Sequence, residues 1–206
     1  MITLSVRELA KIAIEGMGAM QKQKELEGLL WAVEGIEPVG LQKLRFLEIG
    51  VGNGGTTWAL SKFTQVETFV SIDLPGGPFS AGAIPQERIK FISDNATCHY
   101  KYISCDSKMP EMPAFIAETF GGEVDFLFID GDHTYEGVKS DYEMYSPLVR
   151  KGGLIAFHDI REHPPETGCE VKKFWDELKD RLPSTSIEEI IDAEGGAWAG
   201  IGLIRV

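Results

Sequence analysis

From Leu44 onward the sequence alternates short apolar runs with helix-period stretches, and this alternation constrains the fold more than any other feature. The runs are 45–49, 67–73, 102–105, 124–130 and 153–159, followed by 187–191 and 200–206. They are almost continuously apolar, as expected of strands buried on both faces of a parallel sheet. Between them, Val138, Tyr142, Tyr145 and Val149 make one apolar helical stripe, which Gly152 and Gly153 are expected to close. Val171, Phe174, Trp175 and Leu178 make another. The pattern predicts an open, doubly wound α/β sheet with helices on both faces.

The first forty residues read differently. Ser5 and Glu8 form a capping box, and Val6, Leu9, Ile12, Ala13 and Met17 follow at helical spacing. A second helical stretch covers 21–33 before Gly35, Pro38 and Gly40 break it. This predicts a helical extension over 1–40 and one domain over 41–206. Lid, homo-oligomer contact and plain packing are all open as roles for the extension.

Charge bears on the partners. Twenty Lys+Arg against 32 Asp+Glu leave a formal charge of −12, with no basic run. Such a chain repels nucleic-acid phosphates and anionic membranes, so neither is expected as a partner. The pairs Lys22–Lys24 and Lys172–Lys173 fall in helical patterns and read as solvated faces. Cys98, Cys105 and Cys169 have no disulfide or zinc spacing. No apolar run approaches the ~18 residues of a membrane span, and residues 1–10 lack a signal peptide's basic-then-apolar order. A cytoplasmic location is expected.

In a doubly wound sheet, ligands bind beyond the carboxyl ends of the strands, where strand order reverses. Those ends carry Glu48, Asp73, Asp106, Asp130 and Asp159. The first strand also runs into a glycine loop, Gly50-Val51-Gly52-Asn53-Gly54-Gly55-Thr56-Thr57, which permits a tight turn and close backbone approach to a ligand. Gly50, Gly52 and Gly55 satisfy G-x-G-x-x-G, and with Asp73 they can be read as an NAD fingerprint. Glu48 weighs against a dinucleotide, because a carboxylate there would repel a phosphate. It suits a ligand that brings an ammonium group.

At this point the sequence resembles the class I S-adenosylmethionine-dependent methyltransferases, whose first motif is an acid followed by G-x-G-x-G, as in residues 46–54. The resemblance runs from about residue 44 to 206. It implies a Rossmann-like, mostly parallel seven-stranded sheet whose closing strand, 200–206, is an antiparallel edge strand. It also implies that Glu48, Gly50, Gly52, Asn53, Gly54 and Thr56 hold the methionine part of S-adenosylmethionine. Asp73 would take the ribose hydroxyls, Asp106 and Ser107 the adenine side, and Asp130 would border the cofactor.

The stretches 128–136, FIDGDHTYE, and 156–159, AFHD, carry the second signal. If the fourth and fifth strands are neighbours, about 4.8 Å apart, Asp130 and Asp159 can converge on one cation. Oxygen ligands suit Mg²⁺ or Ca²⁺. The region is similar to the macrocin O-methyltransferase and cephalosporin-hydroxylase-like branch. That likeness implies Asp130, His158 and Asp159 as metal ligands and His133 as general base. His158 stands where many members have an acid, and its nitrogen suits Mn, Fe or Zn better than Mg. Adjacent strand residues face opposite ways, so His158 and Asp159 can share an ion only where the strand has turned. Asp132 is expected to be a loop or cap residue, with replacement of Asp130 as the ligand its alternative, and His99 and His163 are expected to be surface residues. Segments 74–85 and 161–168 are candidates to shape an acceptor pocket.

The expected activity is therefore O-methyl transfer from S-adenosylmethionine, assisted by Mg²⁺ or Mn²⁺, to a hydroxyl of a vicinal diol on a small molecule or sugar. Three rival readings remain: an NAD-dependent oxidoreductase, a two-His-one-carboxylate iron oxygenase, and a non-catalytic cofactor-binding module.

Overall fold

The computed structural model describes residues 4–76, 84–192 and 198–206. Its strands are β1 (Leu44–Ile49), β2 (Val66–Asp73), β3 (His99–Ser104), β4 (Val124–Ile129), β5 (Val149–His158), β6 (Ile187–Ile190) and β7 (Ile201–Arg205). Its helices are α1 (Val6–Glu15), α2 (Gln23–Glu34), α3 (Gly55–Leu60), α4 (Gln86–Asn95), α5 (Met112–Phe120), α6 (Tyr135–Tyr145) and α7 (Val171–Arg181). The strands form one sheet in the order β3-β2-β1-β4-β5-β7-β6. β1 pairs in parallel with both β2 and β4, so strand order reverses beside it and a crevice opens at its carboxyl end. β7 is the antiparallel strand, as expected of the closing segment. It lies one place inside the edge, between β5 and β6.

Alternation along the strands divides the core between the two faces. Phe46, Phe126 and Phe128 meet the side chains of α1 to α4, while Leu47, Ile49, Leu127 and Phe157 meet α5, α6 and α7. The N-terminal helices share the first of these cores through Val6, Leu9, Leu26, Leu29 and Leu30. At the start of α1, Glu8 N–H donates to Ser5 Oγ at 3.3 Å and Ser5 N–H to Glu8 Oε2 at 2.8 Å, completing the capping box.

The boundary between α6 and β5 differs from expectation. α6 ends at Tyr145, and Val149, placed on its stripe by spacing, begins β5 instead. Pro147 has no N–H to give to the α-helical ladder, so the α-helix stops at Tyr145 and a single 3-10 turn, Ser146–Leu148, leads into the strand. Gly152 and Gly153 consequently lie inside β5, where Gly152 N–H donates to the Val206 carbonyl at 2.7 Å. Among the described residues, no helix is long and apolar enough to cross a membrane.

Candidate active site

A cavity of about 210 Å³ opens at the carboxyl ends of β1, β2 and β4. Its wall includes Glu48, Gly50, Gly52, Asn53, Thr56, Asp73, Asp106, Ser107, Asp130 and His133. The glycine at position 50 is dictated by packing. Its φ is +88°, and a Cβ there would lie 1.9 Å from the Asp130 carbonyl oxygen, because the ends of β1 and β4 run in contact. Gly54 faces away from the cavity towards Ile84 and Ile92, and Gly55 lines the wall in its place.

Glu48 is buried in that wall. Its Oε2 accepts from Thr57 Oγ1 at 2.7 Å and Ser71 Oγ at 2.6 Å, and burial pushes its pKa up to about 8. Asp73 accepts from Val51 N–H at 3.2 Å and from the Tyr102 hydroxyl at 3.5 Å; burial raises its pKa as well. On the opposite wall, Asp106 Oδ1 accepts from Lys108 N–H at 2.9 Å and shapes a turn. Ser107 Oγ donates to Asp141 Oδ1 at 2.7 Å, and the Ser107 carbonyl accepts from the Tyr145 hydroxyl at 2.6 Å. Two side chains one turn apart on α6 thus hold the 105–108 loop from behind. Asp132 has the loop role expected of it, accepting from Thr134 N–H at 3.0 Å and Lys108 Nζ at 2.7 Å.

The histidine–aspartate group closes the site at the ends of β4 and β5. Asp130 Oδ1 lies 3.3 Å from both His133 Nε2 and His158 Nδ1. His133 Nδ1 is 3.2 Å from Asp159 Oδ2, and His158 Nδ1 is 3.3 Å from Asp159 Oδ1. Asp159 has φ +61°, in the left-handed region that non-glycine residues rarely enter. The strand therefore turns at this residue, and His158 and Asp159 converge instead of facing opposite ways. Donor atoms of Asp130, His158 and Asp159 all lie within 4.8 Å of one another. Asp159 Oδ1 is buried and faces His158 Nδ1 and His163 Nε2 without a well-aligned hydrogen bond to either, an arrangement that suits a cation ligand. Burial works against charge throughout the group, but attraction between carboxylates and imidazoles outweighs it. Asp130 and Asp159 are held below the usual carboxylate range, His158 well above the usual histidine range, and His133 at about 10.

Three contributors lay outside the sequence reading. Gln21, from the chain before α2, donates through Nε2 to Asp130 Oδ2 at 2.9 Å and accepts at Oε1 from Thr56 Oγ1. His163, expected on the surface, is 10% exposed, with Nε2 3.1 Å from Asp159 Oδ1. Cys169 brings a thiol beside His133 and Asp159. No spacing rule links these residues to the motifs they serve. Of the expected loop 74–85, residues 77–83 lie outside the described residues.

A family of methyltransferase domains matches residues 47–160, more than half of the chain. An uncharacterised protein of Acanthamoeba polyphaga mimivirus is 31% identical over 121 residues, 58% of this chain and 53% of that protein. Among solved structures, the MycE methyltransferase of the mycinamycin biosynthetic pathway, in complex with Mg and SAH, superposes with a TM-score of 0.64 at 17% identity. The match covers 99% of this chain and 55% of MycE. An O-methyltransferase from Bacillus cereus in complex with SAH superposes at 0.57 and 16% identity, over 98% of this chain and 90% of its own. The chain spans about half the length of the mimivirus protein and of MycE.

Proposed function

The chain belongs to the family of methyltransferase domains that matches residues 47–160, and we propose that it is an S-adenosylmethionine-dependent O-methyltransferase acting, with a divalent cation, on a vicinal diol of a small molecule or sugar. The observation that carries this reading is the meeting of Asp130, His133, His158 and Asp159 at the border of the glycine-loop cavity. A cofactor pocket and a cation-type donor set thereby share one residue, Asp130.

Each part has a chemical role in this reading. Glu48 faces the ammonium end of the cofactor, and Asp73, an acceptor only when ionised, takes the two ribose hydroxyls. The 105–108 loop, braced by Asp141 and Tyr145, borders the adenine. Asp130, His158 and Asp159 would hold the cation, and one imidazole beside two carboxylates would admit Mn²⁺ as readily as Mg²⁺. A bound cation would supply Lewis acidity that lowers the pKa of a neighbouring acceptor hydroxyl and would offset the carboxylate charge that keeps a proton on His133. His133, within reach of both carboxylates, then takes the acceptor proton as the methyl leaves sulfur.

Calorimetric titration with S-adenosylmethionine, S-adenosylhomocysteine and NAD, with and without Mg²⁺ or Mn²⁺, tests the reading. Micromolar binding of the first two, lost in Asp73→Ala, is expected. Binding of NAD alone would overturn it. Turnover that needs iron and 2-oxoglutarate would point instead to the two-His-one-carboxylate centre, and binding without any transfer to a diol panel to a non-catalytic module.

A further inference from the structure

Asp159 belongs to two donor sets. Besides the group it forms with Asp130 and His158, its carboxylate, a His133 nitrogen and the Cys169 thiol all lie within 4.8 Å of one another. The local backbone holds the thiol there. Gly168 turns the chain at φ +69°, Cys169 N–H donates to Thr167 Oγ1 at 3.2 Å, and Glu170 N–H donates to the His133 carbonyl at 2.8 Å. The last bond fastens the approach to α7 against the loop that leads into α6. Asp159 is 5% exposed, and its Oδ1, 3.3 Å from His158 Nδ1 and 3.1 Å from His163 Nε2, makes no well-aligned hydrogen bond.

The two sets differ in chemistry. Asp130, His158 and Asp159 offer two oxygens and one nitrogen, a hard to borderline set. Cys169, His133 and Asp159 offer sulfur, nitrogen and oxygen, and a thiolate selects zinc-type ions over Mg²⁺. Three protein ligands of this kind leave a fourth tetrahedral position for water. Among the described residues, neither Cys98 nor Cys105 belongs to such a donor set.

We propose that Cys169, His133 and Asp159 form a second, thiolate-containing metal site, and that Zn²⁺ bound there withdraws His133 from proton transfer and stops methylation. Binding releases the thiol proton to solvent and places lone pairs of sulfur, nitrogen and oxygen on the ion, with no change of oxidation state. The inhibitory half rests on the methyltransferase reading, whereas the binding half does not.

Co²⁺ added to the metal-free full chain is the probe. A thiolate-to-cobalt charge-transfer band is expected in wild type and in Cys98→Ala/Cys105→Ala, and is lost in Cys169→Ser. In the wild-type protein, Zn²⁺ should protect Cys169 from alkylation, read by mass spectrometry, and leave Cys98 and Cys105 unaffected. Absence of the band, its survival in Cys169→Ser, or unprotected Cys169 overturns the site. Zinc should inhibit methyl transfer by wild type, with the half-inhibiting concentration about tenfold or more higher in Cys169→Ser. Equal inhibition of the two overturns the regulatory half. Should no methyl acceptor be found under any condition, the methyltransferase reading fails while the cobalt band still decides the site.

Discussion

Gln21 Nε2 donates to Asp130 Oδ2 at 2.9 Å while its Oε1 accepts from Thr56 Oγ1, so one side chain ahead of α2 spans the glycine loop and the aspartate end of the site. Gln21→Ala leaves a buried hydroxyl and a carboxylate oxygen short of a partner, at a cost of about 1–3 kcal/mol. Affinity for S-adenosylhomocysteine and for Mn²⁺ should both fall, by about tenfold. Calorimetry of each ligand against the variant checks this; unchanged affinity for both would show that the bridge has no part in binding.

Glu48 is pushed up to about 8 by burial, so at neutral pH it is largely protonated in the free protein. Only its ionised form attracts an ammonium strongly. Affinity for S-adenosylmethionine should therefore rise as pH passes from 6 towards 8, above which the ligand's own α-ammonium, with a pKa of about 8, is lost, and Glu48→Gln should flatten that rise. A wild-type profile already flat would place the ammonium elsewhere.

Asp141 is fully buried, and burial raises it to about 7 from 3.8. Between those values the folded state binds more protons than the unfolded one. The stability contributed by the neutral carboxyl is complete below 3.8 and is lost as pH rises through about 7. Asn keeps an acceptor for Ser107 and cannot ionise. Asp141→Asn should therefore melt near wild type at pH 4 and above it at pH 8, as differential scanning calorimetry would record.

His133→Ala should lower the methyl-transfer rate by about 10²- to 10⁴-fold, the usual contribution of a positioned base. Binding of S-adenosylhomocysteine should change little, because Asp73 and the glycine loop are untouched. Chelation with EDTA should stop the same step and be reversed by Mg²⁺ or Mn²⁺. Full activity after both treatments would remove base and cation from the mechanism.

Gly50→Ala places a methyl 1.9 Å from the Asp130 carbonyl oxygen at a positive φ. Strain and overpacking together should cost about 3 kcal/mol. Urea unfolding should show a lower midpoint, and cofactor binding should be lost. A midpoint equal to wild type would mean that the ends of β1 and β4 are not in contact.

Much of the fold was legible because it is encoded locally. Strand runs appear as apolar stretches, helix starts as capping residues, and β1's end as a glycine loop, each readable within a few positions. The resemblance to class I methyltransferases rested on such stretches, and the family match over 47–160 bears it out. Where a local signal competed with another, the reading slipped. Val149 kept helical spacing, but Pro147 ended the helix first.

The sequence by itself determined which chemistries were at hand, since acids at strand ends and a glycine-rich turn follow from near neighbours along the chain. Only the tertiary structure decided which of them meet. Gln21 and Asp130 are 109 positions apart, and His163 and Cys169 reach Asp159 because the chain turns sharply at Asp159 and again at Gly168. Such contacts depend on how sheet and helices pack, and no periodicity or spacing along the chain records that packing.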